Sequence, residues 1–291
     1  MAPTPPPTAL YEPSSEGITV ITINRPESRN AVNAATARLL TEAFQKFDKD
    51  DTQKVCVFTG AGGEAFCAGY DLHEVAGSPS SSASNIGPDA FSRVKPVTTT
   101  DPRGPLDEVL GPMGPSRMLT SKPVIAAISG HAVAGGLELA LLADVRVCDT
   151  TAVLGVFCRR FGVPLIDGGT VRLPKIVGLG RALDMILTGR PVDAREALGM
   201  GLVNRAVDKG RAVEEAMALA RSLLAFPQEC MNLDRRSAYY STFEAPSLKG
   251  ALRFEHDAGV EVVAKESVQG ASRFHKGQGR GGSFEPVKGK L

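Results

Sequence analysis

Two segments rich in small residues, each placed directly after a predicted strand, constrain the fold of this chain most strongly. The first, GAGGEAFCAGYDL (60–72), follows the apolar run VCVFT (55–59), and the second, AVAGGLELA (132–140), follows PVIAAISG (123–130). Short apolar runs rich in β-branched residues predict strands, and the alanine- and leucine-rich stretch from Gly135 onward predicts a helix. This alternation of strands and helices is typical of the α/β class.

The remaining patterns divide the chain into a strand-rich part and a helical part. GITVITI (17–23) predicts a strand, and Asn33 is placed to cap a helix. Another strand is predicted at 145–148. Helices are predicted at 181–187, 193–198 and 211–224, and the last residues of ALGMGLVNRAV (197–207) predict a short strand.

Four regions are expected along the chain. They are a disordered, proline-rich leader (1–16), a sheet-rich core (17–190), a helical C-terminal region (191–275) and a flexible tail (276–291). Within the core, 77–118 is rich in Ser, Pro, Gly and Thr and predicts a variable loop, in which 106–119 could hold a short helix. A loop of this length in a compact domain is usually functional.

Composition excludes several classes of protein. A formal net charge of +1 gives no basic face for nucleic acid or for an acidic membrane surface. No apolar run approaches the ~20 residues of a membrane span, and the N-terminus lacks the pattern of a secretory signal. Five cysteines without C-x-x-C spacing indicate a reducing, cytoplasmic compartment, and four scattered histidines predict no metal site.

Small residues at the ends of strands leave backbone N–H groups uncovered, so that a ligand oxygen can approach closely. At Gly135 and Gly136 these N–H groups would also be the unpaired donors at the start of a helix. One donor from each small-residue segment would stabilise a developing enolate oxygen, and loss of one such donor costs about 3–4 kcal/mol of activation energy. The alternative is that these glycines form ordinary turns.

Five motifs occur in a defined order. They are Asn24-Arg25-Pro26 followed by Asn30-Ala31, AFCAGYDL (65–72), KPVIAAISGHAVAGGLELALLAD (122–144), GGTVRLPKIVG (168–178), and Thr188-Gly189-Arg190 followed by ALGMGLVNRAV (197–207). Together they resemble the crotonase (enoyl-CoA hydratase/isomerase) family, and the resemblance runs from about residue 17 to residue 275.

The resemblance implies a fold and a ligand. The fold is a spiral core of ββα units followed by a helical C-terminal trimerisation region, in a homotrimer or homohexamer. The ligand is an acyl-CoA thioester, with coenzyme A as part of the substrate and no other cofactor. The thioester oxygen would accept the backbone N–H groups of Tyr70 and Gly135. The residues that would line the CoA are Ser28, Arg29, Ala31, Ala68, Asp71 and Leu72, although Arg29 and Asp71 are also suited to a surface or capping role.

The resemblance also implies the acid–base groups. Glu138 matches one of the two glutamates of family hydratases; its alternative role is that of a carboxylate favoured by the helix dipole. The second glutamate position falls on Cys158, whose thiol is a poor general acid and is expected to be packed rather than nucleophilic. Asp167, near where several members carry an aspartate, is a candidate replacement, and the alternative is a helix N-cap.

The predicted activity is hydration of a 2-enoyl-CoA to a 3-hydroxyacyl-CoA. Glu138 would orient or deprotonate the water, and Asp167 would supply or remove the second proton. A double-bond isomerase is the near alternative because it needs one base, and a binding trimer with little activity is the second. GAGGEA (60–65) and GQGRGG (277–282) fit G-x-G-x-x-G/A, but neither has the strand–helix context of a dinucleotide site.

Overall fold

The computed structural model describes residues 6–73 and 111–277. The predicted variable loop and the predicted tail therefore lie largely outside the described residues. Of the short helix predicted at 106–119, residues 111–119 are described, and they contain only a 3-10 turn at Pro115–Arg117.

The described strands and helices alternate through most of the chain. The strands are β1 (Ala9–Pro13), β2 (Ile18–Ile23), β3 (Val55–Gly60), β4 (Ala65–Cys67), β5 (Val124–Ile128), β6 (His131–Val133), β7 (Val145–Asp149), β8 (Val153–Gly155), β9 (Val192–Asp193) and β10 (Arg205–Val207). The helices are α1 (Ala34–Lys49), α2 (Gly135–Ala140), α3 (Gly169–Val177), α4 (Leu179–Thr188), α5 (Ala194–Gly199), α6 (Ala212–Leu224), α7 (Gln228–Phe243), α8 (Leu248–Val262) and α9 (Val268–His275), with a π-helical turn at Val263–Ser267. None of these helices is both long and apolar enough to cross a membrane.

Two sheets form the core. One has the order β1-β2-β3-β5-β7-β10 and the other the order β4-β6-β8-β9. Each of β3, β5 and β7 leads within a few residues into a strand of the smaller sheet, so the pair β3–β4 is repeated by β5–β6 and β7–β8. Pairing is parallel except at β1–β2 and β8–β9. The predicted α/β class with successive ββ units is confirmed.

The large sheet is covered on both faces, which explains why its strands read as continuous apolar runs. On one face Phe44 of α1 packs edge to face on Phe58 (5.1 Å between ring centroids), and Phe58 packs likewise on Phe66 (5.2 Å). The Asn33 side chain caps α1 as predicted, because it accepts the N–H of Thr36 at 2.9 Å. Small alanines of α6 pack against the other face.

Two predicted boundaries are wrong. The leader expected to be disordered contains β1, which pairs antiparallel with β2 and places Ala9 and Tyr11 against the core. Its prolines hid this strand, and Pro13 is tolerated because β1 is an edge strand. The boundary expected at residue 190 is too early, since β9, β10 and α6 belong to the two sheets and their cover.

Candidate active site

The two small-residue segments meet at the ends of β4 and β6. A Cβ added to Gly136 would lie 2.0 Å from the Cys67 carbonyl oxygen, and one added to Gly69 would lie 3.3 Å from the Gly135 nitrogen. A side chain cannot fit at Gly136, and at Gly69, whose φ is +103°, a side chain would be strained and crowded, so both glycines allow the two backbones to touch. They are not ordinary turn glycines.

Local backbone geometry directs the start of α2 toward this contact. Ala134 has a φ of +53°, an uncommon conformation for a residue with a side chain, and Gly135 follows as the first residue of the helix. Tyr70 follows Gly69, the glycine that approaches Gly135, and forms a parallel bridge with Val32. The predicted donors Tyr70 and Gly135 therefore stand on adjacent segments, while their binding of a thioester oxygen stays a prediction.

The residues predicted to line CoA lie on two paired segments. The Ala68 N–H donates to the Arg29 carbonyl (3.0 Å), so the segment with Ser28, Arg29 and Ala31 runs beside the one with Ala68, Asp71 and Leu72. Arg29 and Leu72 are exposed, and Ser28, Ala31 and Ala68 are half-buried. The predicted residues are brought together, and contact with CoA stays a prediction.

Asp71 is occupied by the protein itself. Its carboxylate pairs with Arg25 at 2.9 Å and also accepts the N–H of His73. Arg25 further donates to the Ala31 carbonyl. The buried Asn30 side chain joins the same loop to the carbonyls of Ala61 and Ala65. Asp71 thus has the capping role that the sequence left open, and it holds the two segments together.

Glu138 lies on α2 with only 2% of its surface exposed. Its Oε1 accepts the N–H groups of Asp167 (2.9 Å) and Gly169 (2.8 Å). These donors belong to the start of α3, so the carboxylate serves a neighbouring segment rather than its own helix. Burial, with the negative charge of Asp167 as the second cause, raises the pKa of Glu138 to about 7. Such a group exchanges a proton readily near neutral pH.

Asp167 is the second buried carboxyl group, 3% exposed. Its Oδ1 accepts the Met113 N–H (3.0 Å) and the Ser116 hydroxyl (2.5 Å). Burial raises the pKa of Asp167, and the Ser116 bond acts in the opposite direction. The N-cap alternative is wrong, because Gly168 occupies that position and no side chain caps α3.

The sequence did not predict the residues that surround Asp167. Met113 and Ser116 are fully buried, Arg172 donates to the carbonyls of Ser116 and Met118, and Arg117 donates to the Ile166 carbonyl. Met113, Ser116 and Arg117 lie in the predicted variable loop (77–118), and Arg172 lies on α3. The glycines and prolines of GPMGP (111–115) were the only signal of tight local geometry there.

Cys158 lies half-buried on a 3-10 helix (Phe157–Phe161) and packs against the core. Burial, followed by the charge of Glu138, raises the pKa of this thiol. Arg159 and Arg160 are exposed. The thiol therefore stays protonated and packed, and the nucleophile alternative is not favoured. Among residues 6–73 and 111–277 no cluster of three metal-ligating side chains occurs.

Comparison with known proteins identifies the family. The enoyl-CoA hydratase/isomerase family model matches residues 13–100 and 117–279. Enoyl-CoA hydratase EchA19 of Mycobacterium tuberculosis is 34% identical over 267 residues, 92% of each chain, and carnitinyl-CoA dehydratase of Salmonella typhi is 34% identical over 231 residues, 79% of each.

Solved structures agree with the sequence matches. An enoyl-CoA hydratase from Mycobacterium tuberculosis superposes with a TM-score of 0.77 at 31% identity, covering 94% of this chain and 97% of that one. EchA1 of Mycobacterium marinum gives 0.78 at 31% identity with the same coverage. Since the match spans both sheets and the helices that follow them, the chain belongs to the enoyl-CoA hydratase/isomerase (crotonase) family.

Proposed function

We propose that the protein catalyses the reversible addition of water to a 2-enoyl-CoA, giving a 3-hydroxyacyl-CoA. The observation that carries this proposal is the pair of buried carboxyl groups, Glu138 and Asp167, joined where the Asp167 N–H donates to Glu138. Glu138 lies three residues after Gly135. The names of the relatives, a hydratase and a dehydratase, describe the same chemistry in its two directions.

The thioester oxygen would accept the N–H groups of Tyr70 and Gly135. Such donors stabilise the enolate that forms when water adds to Cβ, because they are oriented before charge develops. The proposed substrate is therefore an acyl-CoA thioester, with CoA lying along the paired segments that contain Arg29 and Ala68. No cofactor beyond the CoA of the substrate is needed for this chemistry.

The two carboxyl groups would share one proton. In hydration, Glu138 as the carboxylate takes a proton from water while the water oxygen bonds to Cβ, and Asp167 as the acid gives its proton to Cα. Dehydration reverses both transfers. The pair carries one proton before and after either reaction, so the addition of water is balanced.

Crotonyl-CoA tests the proposal, because loss of the conjugated enoyl absorbance reports hydration. We expect hydration by the wild-type protein and a decrease in kcat of about 10²- to 10⁴-fold in Glu138→Gln. Unchanged hydration in that variant would show that Glu138 is not the base. Absence of binding to any CoA thioester, measured by calorimetry, would instead indicate a binding trimer of another function.

A second candidate is a double-bond isomerase, supported by the presence of a thiol, Cys158, at the position where family hydratases have their second glutamate. Isomerisation moves one proton between two carbons, so a single titrating carboxyl group is sufficient. The same preparation is therefore incubated with a 3-enoyl-CoA. Conversion to the 2-enoyl isomer without hydration of crotonyl-CoA would establish the isomerase and overturn the hydratase.

We also propose that the chain assembles as a homotrimer or homohexamer through its C-terminal helices. Large apolar side chains are exposed there: Leu248, Leu252, Val260, Val263, Val268 and Phe274. Light scattering after size exclusion would give a mass of three or six chains, and a monomer would contradict the proposal. A cytoplasmic location fits the five unpaired cysteines, and fractionation of the source cells tests it.

A further inference from the structure

The segment 111–118 encloses the side chain of Asp167. A Cβ added to Gly111 would lie 2.0 Å from Asp167 Oδ1, so a side chain there would collide with the carboxylate. The Met113 N–H and the Ser116 hydroxyl both donate to that same oxygen. Ser116 is itself fully buried. This contact is therefore built by the fold and is not a chance surface bond.

Two arginine side chains hold the segment that contains Ser116 in place. Arg172 on α3 donates to the Ser116 carbonyl and to the Met118 carbonyl (3.3 Å). Arg117 donates to the Ile166 carbonyl, next to Asp167 (2.9 Å). Two arginines thus tie segment 111–118 to segment 166–172, and they place the Ser116 hydroxyl on the carboxylate.

Two donors on one carboxylate oxygen favour the ionised form. An ionised carboxylate only accepts hydrogen bonds, and bonds to a charged oxygen are about twice as strong as neutral ones. Glu138 also receives two donors, but both are backbone N–H groups, and among the described residues no arginine side chain donates a hydrogen bond to α2, although the charge of Arg172 also favours the ionised form of Glu138. The two carboxyl groups therefore differ in how strongly their surroundings hold a negative charge.

We propose that Ser116 is a positioning residue that keeps Asp167 ionised in the resting enzyme and leaves the single proton of the pair on Glu138. The inference deepens the proposed hydratase function and rests on it for its catalytic meaning. An ionised Asp167 with a protonated Glu138 is the form that dehydrates a 3-hydroxyacyl-CoA: Asp167 takes the Cα proton, the Cβ–O bond breaks, and Glu138 protonates the departing hydroxide to water. Hydration starts from the opposite placement of the shared proton, on Asp167.

Other charged and titratable groups also act on this pair. Arg117 and Arg172 favour the ionised form of Asp167. Burial, followed by the charge of Asp167, raises the pKa of Glu138, and burial, with a minor contribution from Asp167, raises the pKa of the Cys67 thiol. Cys158 lies near Glu138, and Tyr239 of α7 lies near Arg172. None of these groups replaces a hydroxyl donor on Oδ1, so removal of the Ser116 hydroxyl has a distinct signature.

The test is carbon-13 NMR of protein labelled at the side-chain carboxyl carbons, with the Asp167 and Glu138 signals assigned from Asp167→Asn and Glu138→Gln. In the wild type we expect Asp167 to titrate below Glu138. In Ser116→Ala the Asp167 midpoint should rise by about one to two pH units, a ten- to hundredfold change in its acid dissociation constant. An unmoved midpoint, or a wild-type Asp167 that titrates above Glu138, would overturn the proposal.

Two further variants keep the test decisive. Ser129→Ala removes the same kind of bond, a serine hydroxyl on the Asp149 carboxylate (2.6 Å), outside the site, and it should leave both midpoints unchanged. Ser116→Cys keeps a weak donor and should give a smaller rise. It also provides the measurement if Ser116→Ala does not fold.

The pH profile of kcat/KM gives an independent readout. The acidic limb should move to higher pH with Ser116→Ala by the amount seen in the NMR titration, whereas a purely structural role would lower the rate without moving the limb. If the midpoint moves but no enoyl-CoA is hydrated, the proposed function fails and the role of Ser116 stands. If hydration occurs but the midpoint is unmoved, the function stands and the role of Ser116 fails.

Discussion

Two buried aspartates of this molecule each accept a serine hydroxyl, and their pKa values move in opposite directions. Asp149, at the end of β7, accepts Ser129 and Thr151 hydroxyls and the N–H groups of Thr151 and Gly210. These bonds lower its pKa despite burial. Asp167 accepts two bonds, and burial raises its pKa.

The difference shows that the same kind of bond leaves two buried aspartates with different pKa values, depending on how many other donors each carboxylate has. At Asp149 four donors satisfy both oxygens, and the ionised carboxylate ties β7 to the turns beside it. At Asp167 fewer donors leave the carboxyl group poorly compensated for its burial, and a second carboxyl group, Glu138, lies beside it. A buried carboxyl group with a raised pKa and a second carboxyl group beside it is typical of groups that transfer protons.

The largest expected effect is on activity. Asp167→Asn should lower kcat for crotonyl-CoA hydration by about 10²- to 10⁴-fold, because the amide cannot transfer the second proton. Asp149→Asn, the matched change at the structural aspartate, should leave kcat per folded molecule within about twofold. Steady-state kinetics with circular dichroism as the folding check compares them. Equal decreases in kcat in the two variants would show that Asp167 has no role in the reaction that Asp149 lacks.

The next effect is on the free energy of unfolding. Removing a carboxylate should raise it at Glu138, beside Asp167, and lower it at Asp149. The pKa of Glu138 is raised from 4.5 to about 7, so the folded state binds its proton more tightly than the unfolded chain does. Ionisation of Glu138 therefore costs stability as pH rises from about 4.5 to 7, by up to about 3 kcal/mol. Glu138→Gln removes this cost and keeps an oxygen for the two N–H groups.

Urea denaturation at pH 5 and pH 8, at equal protein concentration, measures this effect. Glu138→Gln should gain about 2–3 kcal/mol at pH 8 and little at pH 5, whereas Asp149→Asn should lose about 2 kcal/mol at both. If Glu138→Gln gains the same stability at the two pH values, the gain does not come from removing the cost of ionising Glu138.

The same contrast explains how much could be predicted from the sequence. The contact between the ends of β4 and β6 was predictable because strand, glycine and helix signals follow one another within each segment. Glu138 could be named from the family resemblance and from its place three residues after Gly135, while its catalytic role stays a prediction. Asp167 was found only as a candidate, since its bonds to Met113 and Ser116 join residues 54 and 51 positions apart.

The sequence around Ser116 does not indicate that its hydroxyl bonds to Asp167, just before α3. The surroundings of that carboxylate could therefore be found only from the tertiary structure. β1 was missed for a related reason. Its residues alternate weakly, its neighbours are prolines, and pairing with β2 supplies the stability that its own sequence does not indicate. Local patterns thus predicted the elements and the contact between the two small-residue segments, while contacts distant in sequence determine the surroundings of the two buried carboxyl groups.

The smallest effect is a difference between Ser116→Ala and Ser129→Ala in how their cost in stability depends on pH. Asp149 has a lowered pKa and is ionised from pH 5 to pH 8, so Ser129→Ala should cost a constant free energy of about 2 kcal/mol across that range. Ser116→Ala raises the pKa of Asp167 in the folded state, and a raised acid pKa loses stability as pH rises through the range where Asp167 ionises. Its cost should therefore be greater at pH 8 than at pH 5, by about 1–2 kcal/mol for a rise of about one pH unit or more, measured by urea denaturation. A cost for Ser116→Ala that is as independent of pH as that of Ser129→Ala would mean that both serines serve only to hold the fold.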